Sequence, residues 1–322
     1  MAEAAEPVCA SDRLPAAGDV IVSGQASYRL DTVIGDGGYG QVFMASEGGK
    51  KFAVKCEKYS RSMLRIECNV LRELNAAKCK HICEMFAYGS LRKEYVFVAM
   101  TLLGRDLHRL RSEMRERRFT RPTALRVGRQ SLQAIEEIHN VGFLSRDIKP
   151  GNFAPGIRDN NQHRTIFLYD FGLARKYVDA NNNVIGSRGE AHQRLDLSRR
   201  DDVESWFYML VELTIGALPW RAISDRHAVH TSKLAARTDI TWLNGCPEQY
   251  TTMMRLIDAV DFLSAPPYEQ LLKLIEEACQ QAGVKGKDRW DWDDENATNT
   301  PTISKLDSKS EREQKCNRDA SQ

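Results

Sequence analysis

The chain has 322 residues, with 46 lysines and arginines against 44 aspartates and glutamates, a formal charge of +2. That balance excludes a strongly basic nucleic-acid binder and an acidic solvating tail. With 42% hydrophobic and 28% charged residues the composition is globular, and the length passes the ~250–300 residues at which a single core stops growing, so one large domain or two lobes plus tails is expected.

Residues 1–25 are small, Ala-rich and without apolar period, the pattern of a flexible arm, and they hold no apolar run of signal-peptide length. Strands are predicted at 28–34 and 41–45 around a glycine-rich turn, and at 51–56 after Gly48-Gly49. Met63, Ile66, Val70, Leu71 and Leu74 recur at helical spacing. Cys79 and Cys83 flank His81, but no second ligand pair follows at zinc spacing, so they read as buried small side chains. Eight cysteines without an export signal imply reduced thiols and a cytoplasmic, also nuclear, location. Residues 95–100 form a continuous apolar run, a buried strand, and a hinge is expected near 100–104. A helix-opening proline and an apolar stripe predict a helix at 122–139. Residues 200–216 are apolar almost all round, as a buried central helix would be, and the stretch 206–220 is broken and too short to span a membrane. Two more helices are predicted near 251–262 and 268–282, and from 298 a polar, disordered tail runs to 322. A strand-rich part followed by a helix-rich part gives an α+β chain with lobes at about 26–100 and 105–297.

Several motifs carry chemistry. Gly35-Asp36-Gly37-Gly38-Tyr39-Gly40 is a glycine loop whose backbone N–H groups can approach phosphates. It leads into a strand, not a helix, which excludes the dinucleotide-binding arrangement; by itself it also fits a plain hairpin. Lys55 ends the apolar strand Phe52-Ala53-Val54-Lys55 and needs an anion; Glu67 lies on the inward stripe of the next helix and needs a cation. The two satisfy each other, or else are solvated charges at the edges of their elements. In Ser145-Arg146-Asp147-Ile148-Lys149-Pro150-Gly151-Asn152, Asp147 and Asn152 stand at phosphotransfer-loop spacing, the first to orient a hydroxyl proton and the second to hold a hard metal ion, with Lys149 between them. A short strand then ends in Asp170-Phe171-Gly172, which places Asp170 to chelate Mg2+.

This ordered set resembles the eukaryotic protein kinases. Lys149-Pro150-Gly151-Asn152-Phe153, the segment from Arg199 to Ser205 and Leu218-Pro219-Trp220 are similar to the casein kinase I group, and Gly104-Arg105-Asp106-Leu107, the segment from Trp206 to Glu212 and Asp291-Trp292 look closest to the tau-tubulin kinases. The resemblance spans residues 28–292 and implies a bilobal protein kinase fold with ATP and Mg2+ as cofactors. It implies that Ile34, Gly35, Gly37, Gly40, Val42 and Ala53 line the nucleotide site, with Lys55 on the α/β phosphates and paired to Glu67. Met100 would back the adenine pocket and Thr101 to Leu103 would bind adenine through the backbone; Asp147 would be the base, aided by Lys149, and Asn152 and Asp170 the metal ligands. Asp202 would hold the catalytic loop through backbone N–H groups. The implied partners are protein substrates, cytoskeletal or acidic and pre-phosphorylated, for a monomer that binds neither nucleic acid nor membrane.

Two features depart from that pattern. Ser145 stands where the family has a histidine or tyrosine ring, so a change to histidine is expected to raise activity. The chain between Asp170 and Asp202 is short, which threatens peptide binding more than nucleotide binding; the alternative to an active enzyme is a pseudokinase or nucleotide-binding module. Arg188, Arg194, Arg199 and Arg200 either bind an acidic or phosphorylated substrate or form an ordinary solvated stretch.

Overall fold

The computed structural model describes residues 13–38, 40–91, 93–181, 183–185 and 197–293. The whole of the tail expected at 298–322, and Ser187, Arg188 and Arg194 of the shortened segment, lie outside the described residues. The chain forms two compact units, one from the residues up to Arg72 with Cys83–Leu103, the other from Glu73–Ile82 and the chain from Gly104 onward.

The first unit is a six-stranded antiparallel sheet. Its strands are β1 (Val20–Ser23), β2 (Ala26–Asp36), β3 (Gly40–Glu47), β4 (Lys50–Lys58), β5 (Met85–Leu91) and β6 (Tyr95–Thr101), in the order β1-β2-β3-β4-β6-β5. β1 falls inside the arm expected at 1–25: the β-branched run Val20-Ile21-Val22 turns at Gly24–Gln25 and pairs Ile21 with Tyr28. Strand alternation sorts the residues. Leu30, Phe43, Ala45, Phe52, Val54, Cys56, Phe97 and Ala99 make one core on one face of the sheet. Helix α1 (Leu64–Ala76) buries Leu64, Cys68, Leu71 and Leu74. Met63 and Ile66, placed on the inward stripe by the sequence reading, are 40% and 42% exposed. Val70, Leu71 and Leu74 of the expected stripe are buried, and Leu64 and Cys68 complete it in place of Met63 and Ile66.

The second unit is helical. Its helices are α2 (Leu107–Glu113), α3 (Arg121–Asn140), α4 (Arg199–Ile215), α5 (Arg226–Ala235), α6 (Gln249–Asp258) and α7 (Tyr268–Gln281), with short ladders β7 (Phe143–Leu144) to β10 (Arg175–Lys176) and β8 (Phe153–Pro155) to β9 (Ile166–Leu168). α4 is buried on nearly every side, as its apolar sequence requires, and Trp206 donates its indole N–H to the Gly128 carbonyl and Ser131 Oγ of α3 at 3.1 and 3.0 Å. Its start is capped by Asp201, whose carboxylate accepts from the Ser198 N–H and hydroxyl at 2.7 and 2.8 Å. Among the described residues no helix is long and apolar enough to cross a membrane.

Candidate functional site

In the first unit, strand register alone gathers half of the expected residues. Val42 pairs with Lys55, and Ala53 with Met100, so these four lie on the sheet face opposite the Phe43–Val54–Ala99 core. Ile34 and Gly35 stand where β2 shifts register against β3. Gly37 donates its N–H to the Gly40 carbonyl at 2.9 Å, closing the loop. Gly40 has to be glycine, because a Cβ there would lie 1.9 Å from the Cys56 carbonyl oxygen. The loop is therefore pressed onto β4 immediately beside Lys55.

Lys55 Nζ lies 2.7 Å from Glu67 Oε2 and 3.5 Å from Glu57 Oε1. Both carboxylates are nearly inaccessible, Glu67 at 3% and Glu57 at 4% exposure. Glu57 Oε2 also accepts the Met63 N–H at 2.7 Å, tying β4 to the residue that precedes α1. Sequence reasoning did not single out Glu57. The signal was there, since two residues beyond Lys55 in a strand is the same face. Thr101 gives its N–H to the Glu84 carbonyl at 3.0 Å, so this donor is already used within the unit; Leu103 follows, half-buried.

In the second unit the loop from Ser145 to Asn152 is built around one carboxylate. Asp202, 3% exposed at the start of α4, accepts the Ser145 N–H at 2.8 Å and the Arg146 N–H at 2.9 Å. Its Oδ2 also lies 2.9 Å from His139 Nε2, and the other ring nitrogen of His139 meets the Tyr268 hydroxyl. Three helices thereby fix the loop's entry, with Arg146 held in a left-handed conformation at φ 66. Ser145 is 1% exposed, and its hydroxyl has no hydrogen-bond partner among the described residues.

Beyond that anchor, Asp147 Oδ2 accepts from Lys149 Nζ at 2.8 Å and from Asn152 Nδ2 at 2.9 Å, and Asn152 Nδ2 also donates to the Asp147 carbonyl at 2.8 Å. The amide nitrogen is thus committed to Asp147, and Asn152 presents Oδ1 as an acceptor. The β8–β9 ladder pairs Phe153 with Leu168, and Tyr169 donates its N–H to the Asn152 carbonyl at 3.0 Å, so the metal-binding candidates Asn152 and Asp170 sit at adjacent ladder ends. Asp170 is left-handed at φ 65 and accepts the Gly172 N–H at 3.3 Å. An amide oxygen and a carboxylate are hard donors that fit Mg2+, an ion that completes its shell with water and phosphate rather than with a protein cage.

Comparison with known proteins follows the same lines. Residues 28–285 match the protein kinase domain. The chain is 32% identical over 306 residues to serine/threonine-protein kinase spe-6 of Caenorhabditis elegans, covering 87% of this chain and 79% of that protein. It is 31% identical over 277 residues to a probable serine/threonine-protein kinase of Dictyostelium discoideum, covering 81% of this chain and 55% of that protein. It is 28% identical over 289 residues to a Caenorhabditis elegans protein whose name places it with casein kinase I, covering 83% of each.

Proposed function

This chain belongs to the protein kinase family as a serine/threonine kinase, and we propose that it moves the γ-phosphoryl group of ATP to protein hydroxyls with Asp147 as the base. The observation that carries the assignment is the bonding of Asp147. Its Oδ2 is taken by Lys149 and Asn152, which leaves Oδ1 to accept the proton of an incoming hydroxyl. Lys149, 54% exposed along its side chain, is free to follow the charge on the transferred group. Lys55, oriented by Glu67, holds the α/β phosphates, while the glycine loop from Gly35 to Gly40 covers them and Ala53, Met100 and Leu103 face the base. Mg2+, when bound through Asn152 and Asp170, neutralises charge on the phosphates. Transfer of this kind is mostly positioning and electrostatics, which is why so few side chains suffice when the backbone behind them is fixed.

Within the family, the motif from Lys149 to Phe153 and the segment Arg199 to Ser205 support a casein kinase I-type enzyme of the tau-tubulin kinase type. Its substrates are then cytoskeletal or acidic, pre-phosphorylated proteins, and it works as a monomer in the cytoplasm and nucleus. The test is incorporation of labelled phosphate into an acidic protein, followed by phosphoamino-acid analysis. Phosphoserine or phosphothreonine is expected, with Asp147→Asn slower by roughly 10²–10⁴-fold. ATP binding with no transfer by the unaltered chain would instead make it a pseudokinase.

A further inference from the structure

Helix α2 and the turn after it have no part in phosphoryl transfer, yet with their flanks they form the most arginine-rich stretch of the chain. Between Arg105 and Arg121 stand seven arginines and three acids. Arg105 and Arg109 reach Glu113, Arg111 reaches Glu212, and Arg118 reaches Glu116. Arg121 donates to the Gly245 carbonyl at 3.2 Å. Arg115 and Arg117 are exposed and pair with no carboxylate among the described residues.

The backbone that presents them is strained and held from beneath. Glu116 and Arg117 are consecutive left-handed residues, at φ 62 and 51. Arg111, 4% exposed, donates to the carbonyls of Arg117 and Gly216 at 3.1 Å each while pairing with Glu212 at 3.2 Å. Gly216 has φ 91, and a Cβ there would lie 2.6 Å from the Glu116 carbonyl oxygen. The Phe119 N–H donates to the Leu213 carbonyl at 3.0 Å. A buried ion pair and the glycine that ends α4 thus hold a conformation that a surface turn would otherwise relax out of. Beside it lies a cavity of about 550 Å³ walled by Arg115, Arg118, Phe119, Thr120 and Arg121, in which the acid Glu116 is already paired with Arg118.

We infer that this turn and cavity form a docking site for an acidic peptide segment of a partner protein. Charge complementarity names the ligand: unpaired guanidinium forks match carboxylates in geometry as well as sign. A nucleic acid fits less well, because Phe119 is 2% exposed and offers no face for stacking, and the chain's charge is only +2. None of these residues belongs to the phosphotransfer site, so the inference stands apart from that reading.

Fluorescence anisotropy of a labelled octaglutamate peptide tests it, using the full chain with Asp147→Asn so that turnover plays no part. Binding is expected, weaker at high salt, and reduced roughly tenfold by Arg115→Gln with Arg117→Gln, two changes at exposed positions that leave the melting temperature in place. Glu116→Asn removes the acid from the wall and suits the left-handed backbone, so it is expected to tighten binding without lowering stability. Equal affinity in the double-glutamine variant, or no binding at low salt, would overturn the proposal. So would tighter binding of a single-stranded oligonucleotide of equal charge that the same variant abolishes.

Discussion

Lys55 sits between two buried carboxylates, and only Glu67 is announced by its place on a helix stripe. Two acids around one ammonium leave a surplus negative charge, which Glu57 offsets by taking the Met63 N–H. Glu57→Ala strands that donor and one side of Lys55, at a cost of about 1–3 kcal/mol in urea unfolding. If Glu57 positions the lysine, the alanine variant also raises KM for ATP more than it lowers kcat, and Glu57→Gln, which keeps the acceptor, restores most of the difference. Loss of stability with an unchanged KM would reduce Glu57 to a structural residue. Ser145 is the opposite case, a buried hydroxyl with no partner to satisfy it. Ser145→Ala removes the unsatisfied group and is expected to leave unfolding free energy unchanged or raise it by about 1 kcal/mol, measured the same way. A clear loss would mean that the hydroxyl makes a bond the geometry does not reveal.

Among the elements, those with strong periodicity were legible in the sequence and those that merely connect were not. α4 could be read from its all-round apolar composition, because a helix that is apolar on every side has nowhere to go but the interior. Its Trp206 is a sharp test. Trp206→Phe removes the donor to the Gly128 carbonyl and Ser131 Oγ and some volume, so destabilisation of about 1–3 kcal/mol is expected in denaturant. In α1 the expected Val70, Leu71 and Leu74 are buried while Cys68, a weak apolar signal, takes the place of Ile66, and at β1 an Ala-rich beginning masks the Val20-Ile21-Val22 run. The ladders β7 to β10 and β8 to β9 have two or three residues a strand, too few for any period to show, although they are what sets Asn152 beside Tyr169 and Asp170. Asp147 and Asn152 are legible by spacing as a candidate pair, and they bond to each other, whereas the anchoring of their loop on Asp202 is implied only by resemblance. The reason is physical: residues 145 and 202 meet through tertiary hydrogen bonds that leave no local pattern.

At the scale of the whole molecule, the chain from Trp290 to Asp293 closes the second unit, with Arg126 stacked over Trp290 at 4.2 Å and Asp293 held by Arg164 at 3.1 Å and Arg158 at 3.4 Å. Burial pushes the Asp293 carboxyl up, but the Trp290 N–H and the two guanidinium groups outweigh it and hold the group below its usual range. A depressed folded value means that this contribution is fully present above the unfolded carboxylate value and is lost as pH falls through the folded one. Asp293→Asn is therefore expected to lower the melting temperature at pH 7, and the difference should shrink as pH falls below the ordinary carboxylate range. A deficit independent of pH would assign the effect to packing.

The proposed function requires that ATP binding depend both on Lys55 and, through magnesium, on Asp170. A double-mutant cycle on Mg2+-dependent ATP binding, measured by calorimetry with Lys55→Ala, Asp170→Asn and the pair, tests this most directly. The expected result is that each change weakens binding, and that the combined loss differs from the sum of the single losses by more than about 0.5 kcal/mol. Strict additivity, or ATP affinity indifferent to magnesium and to both residues, would contradict it.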